Sequence, residues 1–239
     1  MPPRPLGSGR VSLVATPELV RRAAAHVIVG DVGDPVLDAD SLHHLVRVLR
    51  LRDGATVTVT DGAGTWRECR FAGGDIEPEG EVVRTTRPEP PITIAVATPK
   101  GDRAEWLVQK CTEIGVDRIA LLAAARSVVH WDDERAARHV ARLRRVAAEA
   151  AMQSRRVWLP ELTGPHPATA ALPTAVVAEP GGRALAASDT TVAIGPEGGW
   201  SPDELALAAV TVTLGPNILR VETAAVVATA LMVAVRGSV

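Results

Sequence analysis

The sequence predicts an α/β protein in two parts. A small β-rich region comes first, and a larger unit follows in which strands and helices alternate around a mainly parallel sheet. Three observations predict this. Residues 55–60 and 65–71 alternate with period two on either side of a glycine-bearing turn. From Ile92 onward, short apolar runs alternate with stretches of helical periodicity. The chain has 239 residues, enough for one or two cores.

Taken in order, Ser41 is placed to cap a short helix with apolar positions Leu42, Leu45, Val46 and Leu49, ended by Gly54. The hairpin follows, turning at Asp61-Gly-Ala-Gly64. Residues 76–91, rich in Gly, Glu and Pro, read as a last strand and a linker. Ile92–Ala97 is a strand. Asp102 with Glu105 then forms a capping box on a helix whose inward face is Leu107, Cys111 and Ile114, stopped by Gly115. Ile119–Leu122 is the next strand, and Asp133–Gln153 is a long helix. Val176–Ala178, Thr191–Ile194 and Val210–Leu214 are further strands, the last two followed by helices.

Composition removes several classes of function. Hydrophobic residues at 46% and charged residues at 23% describe a globular chain. Cys69 and Cys111 stand far apart with no CxxC pair, against both a disulfide framework and a zinc site. The start MPPRPLGSGR has no apolar stretch of a leader, and the longest apolar run, Ala224–Val235, is too short to span a bilayer. A cytoplasmic protein without membrane contact is expected. The net charge of −2 advertises no nucleic-acid partner, so one has to be argued from local patches.

Two strand–turn–helix junctions carry the chemistry. In Ile194-Gly-Pro-Glu-Gly-Gly-Trp-Ser-Pro-Asp-Glu204, Ser201 is an N-cap, Pro202 the first helical residue, and Glu204 completes a capping box. Three glycines precede that helix at the carboxyl end of a strand, where α/β sheets bind ligands and where glycine lets backbone approach one closely. Leu214-Gly-Pro-Asn-Ile-Leu-Arg-Val-Glu-Thr-Ala224 repeats the arrangement, and Ala178-Glu-Pro-Gly-Gly182 is a third turn of the same character. Each alone reads more readily as a tight turn; three at adjacent strands point to a pocket. Neither phosphate-loop fingerprint is present, and Glu197 inside the first loop repels phosphate. An adenosine-bearing cation without phosphates fits better, and S-adenosylmethionine is such a ligand.

GPEGGWSPDE and LGPNILRVETA, in that order, resemble the signature of the RsmE family, the 16S rRNA uridine-N3 methyltransferases of the SPOUT superfamily. Upstream, His43–Arg50 with Gly54, Lys100–Glu105, Gln109–Gly115, Arg126-Ser127 and Glu149–Ser154 resemble other segments of that family, so the likeness spans the chain. Met152 stands where the family pattern has Glu, and Arg155 where it has Gly. The resemblance implies a PUA-like RNA-binding β-barrel over residues 1–75 and a SPOUT α/β domain over 92–239, with a trefoil knot over about residues 176–235 forming the cofactor pocket. It also implies a homodimer with the active site at its interface, and 16S rRNA or the small ribosomal subunit as partner.

Carried over position by position, the resemblance implies a cofactor pocket of Glu179, Ile194, Gly195, Pro196, Glu197, Gly198, Gly199, Leu214, Gly215, Ile218, Leu219 and Arg220. Transfer of a methyl from a sulfonium needs mainly positioning. Uridine N3 is a weakly acidic imide, so the site needs a base or a cation that stabilises the imide anion; no metal is required. Arg220 serves there or pairs with a nearby carboxylate. Glu197 and Glu113 are the candidates for proton removal. Glu222 and Thr223 either cap the last helix or function. For RNA, Arg126, Gln153, Arg155 and Arg156 lie in the family-like segments, and Arg47, Arg50 and Arg52 with His43 and His44 form a basic cluster. Arg135, Arg138, Arg142 and Arg145 share one helix face, as a phosphate-tracking stripe or as a solvated surface. Trp66 and Phe71 fall on opposite faces of their strand, so that at most one is free to stack on a base and core packing is the favoured role of both. Three alternatives stand beside this reading: a SPOUT enzyme acting on ribose 2′-O or a guanine nitrogen, a non-catalytic RNA-binding module, and an unrelated doubly wound nucleotide-binding enzyme, against which the absence of either phosphate fingerprint weighs.

Overall fold

In a computed structural model, residues 17–128 and 132–236 are described; the amino-terminal stretch read above for a leader lies outside the described residues. The chain divides into two compact units, Met1–Pro88 and Glu89–Val239.

The first unit contains α1 (Glu18–Arg22), β1 (Ala25–Ile28), α2 (Ala39–His43), β2 (Thr56–Thr60), β3 (Thr65–Ala72), β4 (Asp75–Pro78) and β5 (Val83–Arg84). Strands β2 and β3 form the predicted hairpin, antiparallel from Thr56↔Arg70 to Thr60↔Trp66. Asp61 sets its turn by accepting from the amides of Ala63 and Thr65. β1 pairs with β2 in parallel. On the other edge of β3 the sequence foresaw one strand; there are two, β4 against residues 69–72 and β5 against 65–66. They separate at Glu68, whose carbonyl accepts from both Glu79 and Gly80 amides. Trp66, Cys69 and Phe71 are all buried, so neither aromatic is free to stack on a base.

The helix at 39–43 is capped one turn earlier than foreseen. Asp38, not Ser41, is the N-cap, and its carboxylate accepts from the Ser41 amide. The helix also does not run to Gly54. Residues His44–Val48 form a π turn, and Arg50 takes a left-handed φ of 52° that leaves the helix. Leu45 alone is buried from that turn; Val46, Val48 and Leu49 stay exposed, as do Arg47 and Arg50.

The second unit contains β6 (Thr93–Ala97), α3 (Arg103–Ile114), β7 (Arg118–Ala123), α4 (Asp133–Gln153), β8 (Glu161–Pro167), α5 (Ala168–Ala171), β9 (Val176–Arg183), β10 (Thr191–Ile194), α6 (Pro202–Leu205), β11 (Thr211–Val212) and α7 (Val221–Arg236). The sheet has six strands in the order β11-β9-β10-β6-β7-β8, and every pair is parallel. Strand residues alternate between its faces. Ile94, Val96, Ile119 and Leu121 pack under α3, α4 and α7 with Leu107, Cys111, Leu143, Ala225 and Met232. Ala95, Ala97 and Leu122 face Leu172 and Trp200 on the other side.

Helix α4 spans the predicted residues behind an Asp132 cap. Asp102 precedes α3 as foreseen but makes no capping bond; its backbone is already helical, and Glu105 pairs with Arg142 at 2.7 Å instead. β8 escaped the sequence reading because Gly164, Pro165 and Pro167 break its pattern, which an edge strand tolerates. At the amino edge of the sheet, buried Asp117 accepts from the Ile92 amide and pairs with Arg236, fastening the end of α7.

The chain leaves β6 in one direction to build β7 and β8, and returns to build β10, β9 and β11 on the other side. The carboxyl ends of β6 and β10 therefore flank the point where strand order reverses, the crevice in which open parallel sheets bind ligands. With Ile194 in register with Val96, that crevice is bordered by the segment from Thr98 to Arg103 and the loop from Gly195 to Trp200.

Candidate active site

The loop after β10 is held from several directions. Trp200 is buried and folds back beneath Gly195; a Cβ at 195 would lie 3.0 Å from the indole. This corrects one expectation, because the space freed by that glycine is filled by Trp200 rather than by a ligand. A Cβ at Gly198 would meet the Arg126 side chain at 3.3 Å. Gly199 has a φ of +69°, and its amide donates to the Pro196 carbonyl, so this glycine makes the turn itself. Arg126 Nη1 donates to the carbonyls of Gly198 and Trp200, each at 3.2 Å.

The predicted capping box forms: Ser201 Oγ accepts from the Glu204 amide, and Glu204 accepts from the Ser201 amide at 2.9 Å. The second Glu204 oxygen accepts from the Ala125 amide at 2.8 Å. Burial works to raise the pKa of Glu204, but these amides and the charge of Arg126 outweigh it and hold the carboxyl below its ordinary range. A carboxylate thus fills the place a phosphate would take at this helix start.

The loop from Leu214 to Arg220 is open by contrast. Gly215 has a φ of +143°, with no atom within 4 Å of a Cβ placed on it. Thr213 Oγ1 donates to the Gly215 carbonyl at 3.0 Å. Ile218 is 92% exposed, while Leu214 and Leu219 lie half-buried against the core. Arg220 is exposed and its side chain has no partner among the described residues. Glu197 and Glu222 pair with Arg103 instead.

The third glycine segment is not a turn. Glu179 to Gly182 continue β9, whose outer edge meets β11 with Arg183 opposite Val212. A Cβ at Gly182 would stand 2.5 Å from the Val212 amide, so glycine is required for the two strands to approach. Arg183 and Asp189 close this edge with two contacts of 2.7 Å. Glu179 lies just beyond the pairing of β9 with β10, and burial raises its pKa.

Sequence reasoning missed Arg103. Its Nη1 donates to Glu197 Oε1 at 3.4 Å, and its Nε lies 3.8 Å from Glu222 Oε1. The first residue of α3 thereby joins the loop after β10 to the first turn of α7. The segment Lys100–Glu105 did stand out, as a helix start and as a family-like stretch, but no local signal pairs a residue with partners so distant in sequence.

The remaining candidates scatter. Glu113 is two turns and more along α3, about 15 Å from Arg103 at the helical rise, and Lys110 holds both its oxygens at 2.9 Å. It is not brought to the loops within one chain. Arg156 donates to the Thr112 carbonyl at 2.8 Å and lies 4.0 Å from Asp117, serving the fold. Gln153 is exposed at the end of α4. Arg155 adopts a φ of +63°, the conformation in which the family's glycine is unstrained. On α4, Arg138 pairs with Glu134 and Arg142 with Glu105, which leaves the stripe only partly available.

A parallel sheet with a glycine-bearing loop at its switch point, preceded in the chain by a small β unit, belongs to the ligand-binding α/β class, and the family matches make that class RNA methyltransferase. Residues 87–233 match the RNA methyltransferase domain family, and residues 37–81 the RNA methyltransferase PUA domain family. The chain belongs to the ribosomal RNA small subunit methyltransferase E family. It is 34% identical to that enzyme of Mycobacterium bovis over 218 residues, covering 81% of this chain and 83% of the relative. The Bacillus subtilis enzyme is 29% identical over 222 residues, covering 79% and 85%. Among solved structures, Neisseria gonorrhoeae ribosomal RNA small subunit methyltransferase E bound to S-adenosyl methionine superposes with a TM-score of 0.71 at 28% identity, covering 87% of this chain and 96% of that one. A Legionella pneumophila protein in complex with the bound cofactor SAM gives 0.76 at 25%, covering 89% and 98%.

Proposed function

We propose that this chain methylates N3 of a uridine in 16S rRNA of the small ribosomal subunit, with S-adenosylmethionine as donor. The observation that carries the reading is the acidic crevice at the switch point. Glu197 stands against the guanidinium of Arg103, Glu179 stands at the next strand end, and Glu204 occupies the helix start. This donor set repels phosphate and accepts a cationic nucleoside. When bound, the cofactor supplies a methyl group on a positively charged sulfur.

The chain's own residues then position and neutralise. Backbone groups of Ile194 to Gly199 and of Leu214 to Leu219 hold the adenosine, Glu179 accepts from ribose hydroxyls, and Arg220, exposed at the mouth, stabilises the imide anion of the target base. Arg126 steadies the loop from beneath. Arg155, Gln153 and the exposed Arg47 and Arg50 contact RNA phosphates.

The finer architecture belongs to the same proposal. A PUA-like barrel is supported by β3 pairing on both its edges. A trefoil knot is supported by α7 returning from beyond β9 to pack on β6, β10 and α3. A homodimer with the site at its interface is supported by α7 itself, whose outer side carries Val227, Ala230 and Leu231 where a solvated helix carries polar residues. Among the described residues no helix is long and apolar enough to cross a membrane. We assign the activity to the cytoplasm, where ribosomal RNA is handled.

Mass spectrometry of small-subunit rRNA, digested after incubation with the protein and S-adenosylmethionine, tests the reading. N3-methyluridine is the expected product. A methyl on ribose 2′-O or guanine N1 would replace the assignment, and no methyl with cofactor binding absent would leave an RNA-binding module. Light scattering tests the dimer: Leu231→Arg is expected to halve the apparent mass.

A further inference from the structure

We propose that Glu222 is the proton acceptor of the reaction, taking the hydrogen of the target imide as the methyl group arrives. This rests on the uridine-N3 reading above.

Glu222 lies in the first turn of α7 and is 9% exposed. Neither of its oxygens accepts a hydrogen bond from a described residue. Oε1 reaches only Arg103, at 3.8 Å, and Oε2 is buried with no partner. It does not cap its own helix, which removes the structural use the sequence left open. Burying a carboxylate oxygen without a donor is costly, and such atoms are few in folded proteins. Two more lie at the same edge: Thr98 Oγ1 directly after β6, and Trp200 Nε1 in the loop after β10. Of the other carboxylates at these loops, the Ser201 and Ala125 amides hold Glu204, and Glu197 is bonded to Arg103. Glu179 is half-buried beyond the β9–β10 pairing and is assigned to the ribose above. Glu222 is buried with an oxygen that no described residue satisfies, and the N3–H of the base is a donor that the reaction must remove.

In the step, the N3–H bond breaks and its proton passes to Glu222. The electron pair left on N3 forms the bond to the methyl carbon. The carbon–sulfur bond of the donor breaks with its pair on sulfur, which becomes a neutral thioether. Glu222 releases the proton to solvent after the product leaves. Arg103 is a positioning residue that holds the carboxylate, and Arg220, two residues upstream, balances charge on the imide.

The test uses the full chain, S-adenosylmethionine, and small-subunit rRNA carrying uridine or 5-fluorouridine at the target. In Glu222→Gln, kcat on uridine is expected to fall about a hundredfold or more. Cofactor affinity by calorimetry stays unchanged, and thermal stability is not lowered, because Oε2 is buried without a donor and Arg103 keeps its bond to Glu197. On 5-fluorouridine, whose imide is more acidic, the defect shrinks; Glu222→Asp retains part of the rate. Three results would overturn the proposal: wild-type turnover in Glu222→Gln, an equal defect on both RNAs, or cofactor affinity falling in step with turnover. Failure of the underlying reading looks different, since the wild-type protein itself would then leave N3 unmethylated, and the proposal falls with it.

Discussion

The two glycine loops at the switch point resemble each other in sequence and differ in how they are held. The loop from Gly195 to Trp200 is held at three points: indole beneath, Arg126 against its carbonyls, a capping box at its exit. The loop from Leu214 to Arg220 is tied by one side chain, the Thr213 hydroxyl, which bonds both the carbonyl and the amide of Gly215, and it presents Ile218 and Arg220 to the outside. The first is a preformed wall whose shape the protein fixes before any ligand arrives. The second is an arm whose contacts are left for cofactor, RNA or a second subunit to make. Preorganisation on one side and adaptability on the other is a division that lets a site bind tightly and still release product.

Substitutions separate the two loops. The largest loss of stability is expected from Trp200→Ala, which empties the space beneath the first loop and costs about 3 kcal/mol or more in urea unfolding. Gly195→Ala forces a methyl against the same indole and is expected to cost about 1–3 kcal/mol, with weaker calorimetric binding of S-adenosylmethionine. Glu204→Gln removes the charge and leaves one acceptor oxygen for the two amides of Ser201 and Ala125, which is expected to cost about 1 kcal/mol at neutral pH. Because the folded carboxyl lies below its ordinary value of 4.5, that advantage is present above 4.5 and fades as pH falls through the lower folded value, so the two unfolding curves converge in acid.

The smallest changes belong to the open arm. Ile218→Ser and Arg220→Ala are each expected to leave stability within about 0.5 kcal/mol of wild type. Arg220→Ala nonetheless lowers methyl transfer about a hundredfold, the loss typical of a group that stabilises a developing anion. An unfolding loss in Arg220→Ala as large as that in Gly195→Ala would erase the distinction between the loops.

Arg155 shows what a departure from a family pattern means physically. The sequence marked the position as unusual, and the structure shows why glycine belongs there: the backbone is left-handed. Arg103 shows the opposite case. Nothing in its neighbourhood distinguishes it, and its meaning comes only from Glu197 and Glu222.

The sequence by itself determined what depends on neighbours in the chain. The hairpin at Asp61, the whole of α4, the stop at Gly115 and the capping box at Ser201 follow from periodicity and from side chains reaching amides a turn away. The tertiary structure decided what depends on residues far apart. It made Glu179 to Gly182 a strand by bringing β11 alongside, filled the space beside Gly195 with Trp200, withheld the cap from Asp102, and set Arg103 between two carboxylates. Local hydrogen bonding and side-chain period are written in consecutive residues, whereas close packing and charge pairing exist only once the sheet has brought distant segments together.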